Sequence, residues 1–299
     1  MKKSVWIFGI LGLLLALGLS GCSGGGSAQA GSQPATAVIN NKGSDTMINL
    51  ALAWAEAYQQ LHSEVNISVT GGGTGIGMAA LGNHTVDIAN ASRAIKPEEM
   101  TQAEQNGGAT PQEFVVARDA IAVIVNPHNP INHLTLQQIS LIYQGKINNW
   151  RELGGEDRPI VRLSRETNSG THVYFLETVV RLGNSNDKSL FSPDTLLLPS
   201  SEGIITEVSS NPNAIGYDGL GYITPAVKTL AITMKDGGDP ILPSVETVNN
   251  KKYPVSRDLY MYTPGEPTGE VKRYLDWIRS SVAQQIVTNL GFVPIITGQ

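Results

Sequence analysis

The residues able to do chemistry in this chain gather in short polar turns. The stretch Leu163 to Thr171 (Leu-Ser-Arg-Glu-Thr-Asn-Ser-Gly-Thr) follows an apolar run, Ile160 to Leu163, and leads into a segment with helical spacing, His172 to Leu182. Ser169, Gly170 and Thr171 place small, hydroxyl-bearing residues where the first turn of a helix leaves N–H groups without partners and carries a partial positive charge. An anion placed there meets those donors, the two hydroxyls and the guanidinium of Arg165, four residues upstream of Ser169. Taken alone, the stretch reads equally well as an ordinary N-cap beside a surface arginine. It does not stand alone. Ser44-Asp45-Thr46 and the run Gly71 to Gly77, with Thr74 inside it, repeat the order strand, polar turn, helix, and Ser92-Arg93 closes a third strand.

Other chemistries find little support. The glycine run lacks the G-x-G-x-x-G register, and no G-x-x-x-x-G-K-[ST] occurs, so both nucleotide readings fail. Ser169 lies in no G-x-S-x-G elbow. The five histidines form no H-E-x-x-H pattern, and His172, the one near a candidate turn, reads as a helix surface residue. Trp54, Trp150 and Trp277 sit in apolar contexts and read as core. No catalytic residue, metal or cofactor is assigned, and an enzyme is not expected.

What remains is many neutral donors and few cations, Arg93 and Arg165 among them. That balance suits a small dehydrated tetrahedral oxyanion, whose oxygens each need two or three hydrogen bonds. A carboxylate in such a site discriminates. Phosphate near neutral pH keeps a proton to donate to it, whereas sulfate has none. Asp45 is the candidate acceptor; its alternative role is to cap the helix that follows.

These turns need elements to hold them. Val38 to Asn41, Val65 to Thr70 and Val86 to Ala89 read as strands, and the segments from Met47 to Leu61, through Leu81, and from Pro97 read as helices. Three βα units in a row point to a mainly parallel sheet, with ligands at the strands' carboxyl ends. Glu113 to Ala117 and Ala120 to Asn126 read as two strands separated by Arg118-Asp119. Leu134 to Tyr143, Glu202 to Ser209, Gly269 to Ser280 and Gln284 to Leu290 read as helices. Ile160 to Leu163, Asn213 to Tyr217, Leu230 to Met234 and Leu259 to Tyr262 read as strands, and Pro240 to Pro254 as turns. The grammar of residues 38–116 returns in 120–217, which implies two α/β lobes and a cleft between them.

Composition agrees. The 299 residues, 41% hydrophobic and 16% charged, are enough for one large or two ordinary cores. The formal charge is −5, and without Lys2 and Lys3 the remaining 19 basic against 26 acidic residues give −7, which excludes a general nucleic-acid binder. Residues 1–21 read as a secretory signal: a basic start, an apolar run from Val5 to Leu19, and small residues before Cys22. Leu19-Ser20-Gly21-Cys22 matches the bacterial lipobox, implying cleavage before Cys22 and lipid on its thiol. Cys22 is the only cysteine, so no disulfide and no cysteine metal site is available. Residues 22–37, rich in Gly, Ser, Ala and Gln, read as a flexible tether. The expected place is extracytoplasmic, on a lipid anchor at the bacterial membrane.

Taken together in this order, Gly43 to Met47, Gly71 to Gly75, Asp87 to Arg93, Ala122 to Pro127, Tyr143 to Trp150, Arg165 with Ser169-Gly170-Thr171, and Asn213 to Tyr217 resemble the phosphate-binding lipoproteins of bacterial Pst-type ABC importers. The resemblance covers about residues 38 to 295. It implies the two-lobed type II periplasmic-binding-protein fold, with lobe one at 38–117 and 231–299 and lobe two at 118–230. The chain would then cross a hinge near Arg118-Asp119 and again near Thr229 to Ile232. It implies phosphate ligands at Ser44, Asp45, Thr46, Thr74, Ser92, Arg93, Arg165, Ser169, Gly170 and Thr171, with the departure that some members carry an aspartate where this chain has Arg93. It implies a monomer that captures inorganic phosphate by hinge closure and delivers it to membrane permease and ATPase subunits. The alternatives are another tetrahedral oxyanion (sulfate, molybdate or tungstate) and, from a different class, a phosphatase or a phosphate-sensing adhesion protein.

Overall fold

The computed structural model describes residues 37–107 and 109–295. The expected signal, Cys22 and all of the tether but Ala37 lie outside the described residues.

Three βα units come first. β1 (Ala37–Gly43) runs through a 3-10 turn (Asp45–Met47) into α1 (Ile48–Leu61), β2 (Val65–Thr70) into α2 (Thr74–Gly82), and β3 (Ile88–Ala91) into α3 (Pro97–Gly107). β4 (Gln112–Val125) follows, then β5 (His133–Thr135), α4 (Leu136–Tyr143), β6 (Val161–Arg165), α5 (Gly170–Phe175, continued by a π turn to Val180), β7 (Leu196–Leu198), α6 (Ser201–Ser210) and β8 (Ala214–Gly219). The last elements are β9 (Lys228–Thr229), β10 (Ala231–Thr233), α7 (Val245–Asn249), β11 (Ser256–Thr263), α8 (Gly269–Ile278) and α9 (Ser281–Asn289).

The main sheet has the order β2-β1-β3-β11-β4-β8-β6-β7, with β9 also on β4. Neighbours within each half are parallel where βα units generate them: β1 with β2 and β3, and β6 with β7 and β8. β4 and β11 run antiparallel to their neighbours and join the two halves. The expected mainly parallel sheet of each lobe is therefore completed by a shared antiparallel centre.

β4 is one strand and not two. No glycine or proline interrupts it, and its ladder carries through the charged residues because Asp119 lies opposite Arg257 and Arg118 opposite Asp258. Its side chains alternate between two cores in the second half, as period two demands. Ile121, Val123 and Val125 pack with Ile139, Tyr143, Trp150, Phe175 and Tyr217, while Ala122 and Ile124 pack with Leu163, Ile204 and Val208. In the first half, Ile39 and Ile67 meet the α1 stripe of Leu50, Trp54 and Tyr58 and residues of α8 and α9, while Met78 and Leu81 of α2 cover Ala89 on the opposite face. Trp54 and Trp150 are core, as expected. Each is buried, and each indole N–H donates to a carbonyl, Ala283 and Asn213 respectively, at 3.0 Å.

The return crossing expected near Thr229 to Ile232 is not where the packing changes sides. β10 pairs with β5, and Ile232, Val248, Tyr253 and Val255 belong to the second half's core. From β11 onward, side chains such as Leu259 and Met261 pack in the first half, which Tyr222, in the turn after β8, also joins.

α2 approaches β1 through Gly77. A Cβ there would lie 2.7 Å from Gly43 Cα and 2.9 Å from Lys42 O, whereas one on Gly82, in the same helix, meets nothing nearer than 3.7 Å. Gly77→Ala should therefore destabilise by about 1–3 kcal/mol despite alanine's better helix propensity. Gly82→Ala should be neutral or stabilising by up to about 1 kcal/mol. Urea midpoints moving in the same direction for both would contradict this packing.

Candidate functional site

The polar turns meet where the halves face each other. Thr46, in the turn after β1, and Thr171, in the first turn of α5, bring their hydroxyl oxygens to 2.6 Å, and both residues are buried. Thr74, at the start of α2, lies beside Ser92: the Ser92 backbone N–H donates to Thr74 Oγ1 (3.1 Å), and the two hydroxyls are 3.3 Å apart. Gly170 sits against that pair, since a Cβ on it would stand 2.5 Å from Thr74 Oγ1 and 2.6 Å from Ser92 Oγ. Any side chain at position 170 would fill the space the hydroxyls share. Ser169 N-caps α5, its hydroxyl accepting from the Thr171 N–H at 3.2 Å.

Ser44 makes no capping hydrogen bond. Its hydroxyl is buried with no partner among the described residues, a cost the fold would avoid unless another molecule supplied the bond. Nor does Asp45 cap. Its Oδ2 accepts from Arg165 Nη2 at 2.9 Å and from the Ser201 N–H at 3.0 Å, both from the opposite half.

Arg165 closes the group from β6. The side chain is almost fully buried and donates to Asp45, to Ser201 Oγ (2.9 Å), to the Pro199 carbonyl (2.8 Å) and, less closely, to that of Leu198. Asp218, fully buried, stands 3.8 Å from Arg165 Nη1 and accepts from Ser201 Oγ at 3.0 Å and the Gly219 N–H at 2.7 Å. Its Oδ2 has no hydrogen-bond partner among the described residues.

Nine of the ten expected residues thus come together: Ser44, Asp45, Thr46, Thr74, Ser92, Arg165, Ser169, Gly170 and Thr171. Arg93 does not. Its guanidinium is turned to the start of α3, where both Nη atoms donate to Glu99 (2.8 and 2.7 Å) and Nη1 to the Ala94 carbonyl. A carboxylate six residues downstream in a helix's first turn outcompetes a more distant site. The second arginine is instead Arg257, on β11, which donates to Thr171 Oγ1 (2.9 Å) and to the Ser92 carbonyl (2.7 Å). No local signal marks Arg257. It reaches the site only because β11 lies between β3 and β4.

The glycine run is spent on contact between the halves. Gly73 and Gly75 give their N–H groups to the carbonyls of Gly43 and Asn168 (both 2.9 Å), and Gly73, at φ +95°, lets the Asn168 loop of the other half approach. The Asn168 side chain also donates to the Gly72 carbonyl at 3.0 Å. His172 is not a surface residue. It is buried against Phe191, and Nδ1 lies 2.9 Å from the Arg165 carbonyl and 3.0 Å from Ser164 Oγ. Burial holds its pKa below the usual histidine range, although the Arg165 carbonyl opposes the shift. The neutral ring donating through Nδ1 fits that carbonyl and fixes the Arg165 backbone.

Chemically, the arrangement is a wall of hydroxyls drawn from both halves, with the guanidinium of Arg165 and the carboxylate of Asp45 at its edge and Arg257 behind it. The two serine hydroxyls that adjoin a base, Ser164 beside His172 and Ser201 beside Asp218, are fully buried. Among the described residues, no group of three or more His, Cys, Asp or Glu is placed to hold a metal ion.

The chain as a whole is similar to several known proteins. Residues 28–282 match the PBP superfamily domain. The phosphate-binding protein PstS of Pseudomonas aeruginosa is 33% identical over 273 residues, covering 86% of this chain and 83% of that protein. The PstS of Bacillus subtilis is 28% identical over 306 residues, covering 99% and 95%. Among solved structures, a candidate phosphate ABC transporter substrate-binding protein from Clostridium perfringens, with phosphate bound, superposes with a TM-score of 0.77 at 32% identity, over 86% of this chain and 99% of that one. An ABC-type phosphate transport receptor from Vibrio cholerae superposes with a TM-score of 0.68 at 28% identity, over 86% and 100%.

Asp218 gives the site a pH signature. Burial pushes its carboxyl up to about 6, against the pull of Arg165, the Gly219 N–H and Ser201. The folded state thus holds this proton more tightly than the unfolded chain does. Its contribution is complete below the ordinary value of 3.8 and is lost as pH rises to about 6. Stability of the wild type relative to Asp218→Asn should fall across that window, by up to about 1.4 kcal/mol per pH unit. A difference that stays flat from pH 4 to 7 in denaturant titrations would rule this out.

Proposed function

The chain belongs to the PBP superfamily and, within it, to the family of PstS phosphate-binding proteins, and from that premise we propose that it captures inorganic phosphate between its two halves for delivery to an ABC importer. The observation that carries the reading is the composition of the shared wall. Hydroxyls of Ser44, Thr46, Thr74, Ser92 and Thr171 are gathered with the guanidinium of Arg165 and the carboxylate of Asp45, and Arg257 stands behind Thr171. Phosphate needs many donors and one acceptor for its remaining proton, and Asp45 is the acceptor. Its Oδ2 is held by Arg165 and Ser201, which leaves Oδ1 for the ligand. Sulfate, molybdate and tungstate, which bring no proton near neutral pH, would set that lone pair against an anionic oxygen. A phosphatase would need an accessible activated nucleophile or a metal; the described residues hold no metal-binding cluster, and Ser164 and Ser201, the serines paired with His172 and Asp218, are fully buried.

In this reading residues 38–117 together with 256–295 form the first lobe, and 118–255 the second, the return crossing lying at Val255-Ser256. The first-lobe hydroxyls engage the anion, and Arg165, Ser169, Gly170 and Thr171 close on it by hinge motion. Opening must break the bonds that now join the lobes, among them Arg165 to Asp45, Thr171 to Thr46 and Asn168 to Gly72. Permease and ATPase subunits are the partners, and the protein acts as a monomer outside the cytoplasm, held by lipid on Cys22 after removal of residues 1–21. No helix of the described residues is long and apolar enough to cross a membrane.

Titration of the chain starting after Cys22, stripped of anion, should give one-to-one phosphate binding and little heat with sulfate or molybdate. Arg165→Lys, which loses the planar fork, should weaken phosphate at least about tenfold. Asp45→Asn should narrow the preference for phosphate over sulfate. Sulfate or molybdate binding as tightly as phosphate to the wild type would overturn the assignment. Cys22→Ser should move the expressed protein from the membrane to the soluble fraction; retention on the membrane would remove the lipid anchor from the account.

A further inference from the structure

Arg257 is buried and has no part in the family-based expectation for this site. It lies opposite Asp119 in the β11–β4 ladder, with side chains 3% and 0% exposed and Nη2 3.1 Å from Asp119 Oδ2. The other Asp119 oxygen accepts the Leu220 N–H at 3.0 Å. One carboxylate thus gathers three segments where the halves meet: β4, the turn after β8, and β11. On its far side the Arg257 guanidinium reaches both halves of the anion site. Nη1 donates to the Ser92 carbonyl at 2.7 Å, and Nη2 to Thr171 Oγ1 at 2.9 Å. The ring of Tyr174 covers it, 5.4 Å from Cζ.

A guanidinium can only donate. Thr171 Oγ1 therefore spends acceptor capacity on Arg257 and cannot turn its own proton that way. Thr171 and Thr46, 2.6 Å apart, own two hydroxyl protons between them, and one lies in their mutual bond. The other is left to point elsewhere, as a donor polarised by the charge behind it. Thr74 is treated alike by a backbone group, since the Ser92 N–H occupies an acceptor position on its hydroxyl. The wall is thus biased to give hydrogen bonds and not to receive them. Because Ser92 belongs to the first half and Thr171 to the second, separating the halves must break at least one of the two Arg257 contacts.

We infer that Arg257 is a positioning residue for the bound anion: clamped by Asp119 at the junction of the halves, it turns the Thr171–Thr46 hydroxyl pair into a donor toward the ligand and latches the closed arrangement. The inference rests on the phosphate reading above, and wild-type titration separates the two. A wild type that binds no phosphate overturns both, whereas a wild type that binds leaves Arg257 to be judged on its variants.

Arg257→Lys keeps a charge against Asp119 but loses the planar fork that reaches Ser92 and Thr171 together. Its phosphate Kd should rise roughly 10- to 100-fold, mostly through faster dissociation. The Tm without anion should change little, while the rise in Tm on adding phosphate shrinks. Thr171→Val should weaken binding by a smaller factor in the Arg257→Lys background than in the wild type, because both act through one hydroxyl. A merely structural arginine would instead lower Tm equally with and without phosphate and leave the two substitutions additive. Should Arg257→Lys fail to fold, Asp119→Asn with Arg257→Gln removes both buried charges and carries the same expectation. Either folded variant binding and releasing phosphate at wild-type rates, or an additive cycle, overturns the inference.

Discussion

A guanidinium with almost no exposure must find acceptors for its five N–H groups inside the protein, and the acceptors Arg165 finds determine how the rest of the molecule is arranged. Two are carbonyls of the loop after β7, one is the Ser201 hydroxyl that begins α6, and one is Asp45 from the other half. Breaking a buried pair by removing one partner costs about 3–5 kcal/mol, so the halves are held in register by a contact that neither can satisfy alone. Asp45 is equally committed, since the Ser201 N–H and Arg165 share one of its oxygens. The pair is therefore both a buried tie across the cleft and, in the proposed reading, the edge of the site. A ligand that enters has to replace or extend these bonds and cannot merely add to them.

The charges behind the wall follow the same logic. Two buried arginines, 165 and 257, are answered by three buried or half-buried carboxylates, Asp45, Asp119 and Asp218. With that balance already struck, an incoming dianion gains little from net charge and must be held by oriented dipoles. This is why the hydroxyls outnumber the cations. It also accounts for Asp218, whose raised pKa is the expected response of a carboxyl buried beside an arginine that is already paired elsewhere.

Much of the first half was legible in the sequence because its signals are local. The strand Val65–Thr70 alternates, the helix after Met47 carries its apolar stripe, and Pro97 opens α3, so local pattern and global fold agree there. Legibility fails where a distant partner decides. β4 looked like two strands because Arg118-Asp119 reads as a break, yet β11 supplies the opposite charges that keep the ladder intact. β7 is three leucines with no flanking strand signal, and it exists because β6 offers an edge. His172 reads as polar surface until Phe191 and the Arg165 carbonyl are brought to it. The site shows the same division. Its hydroxyl turns follow from strand–turn–helix grammar, but the choice between Arg93 and Arg257 depends on Glu99, six residues from one, and on sheet order, which places the other.

In the proposed reading, the same sheet order makes the hinge and the site one device. In a doubly wound sheet, the carboxyl ends of the parallel strands supply the polar turns, and the antiparallel strands that return through the centre supply the crossings. Here β11 is flanked by β3, which ends at Ala91 just before Ser92, and by β4, which carries Asp119. Any residue near the start of β11 that faces those turns touches a binding turn and a crossing strand at once. Arg257 occupies that position, so a movement of the crossing strands is felt at Thr171 within the length of one side chain. The coupling needs no relay through the core. It follows from placing one long, rigid, multiply donating side chain where the two halves share a strand.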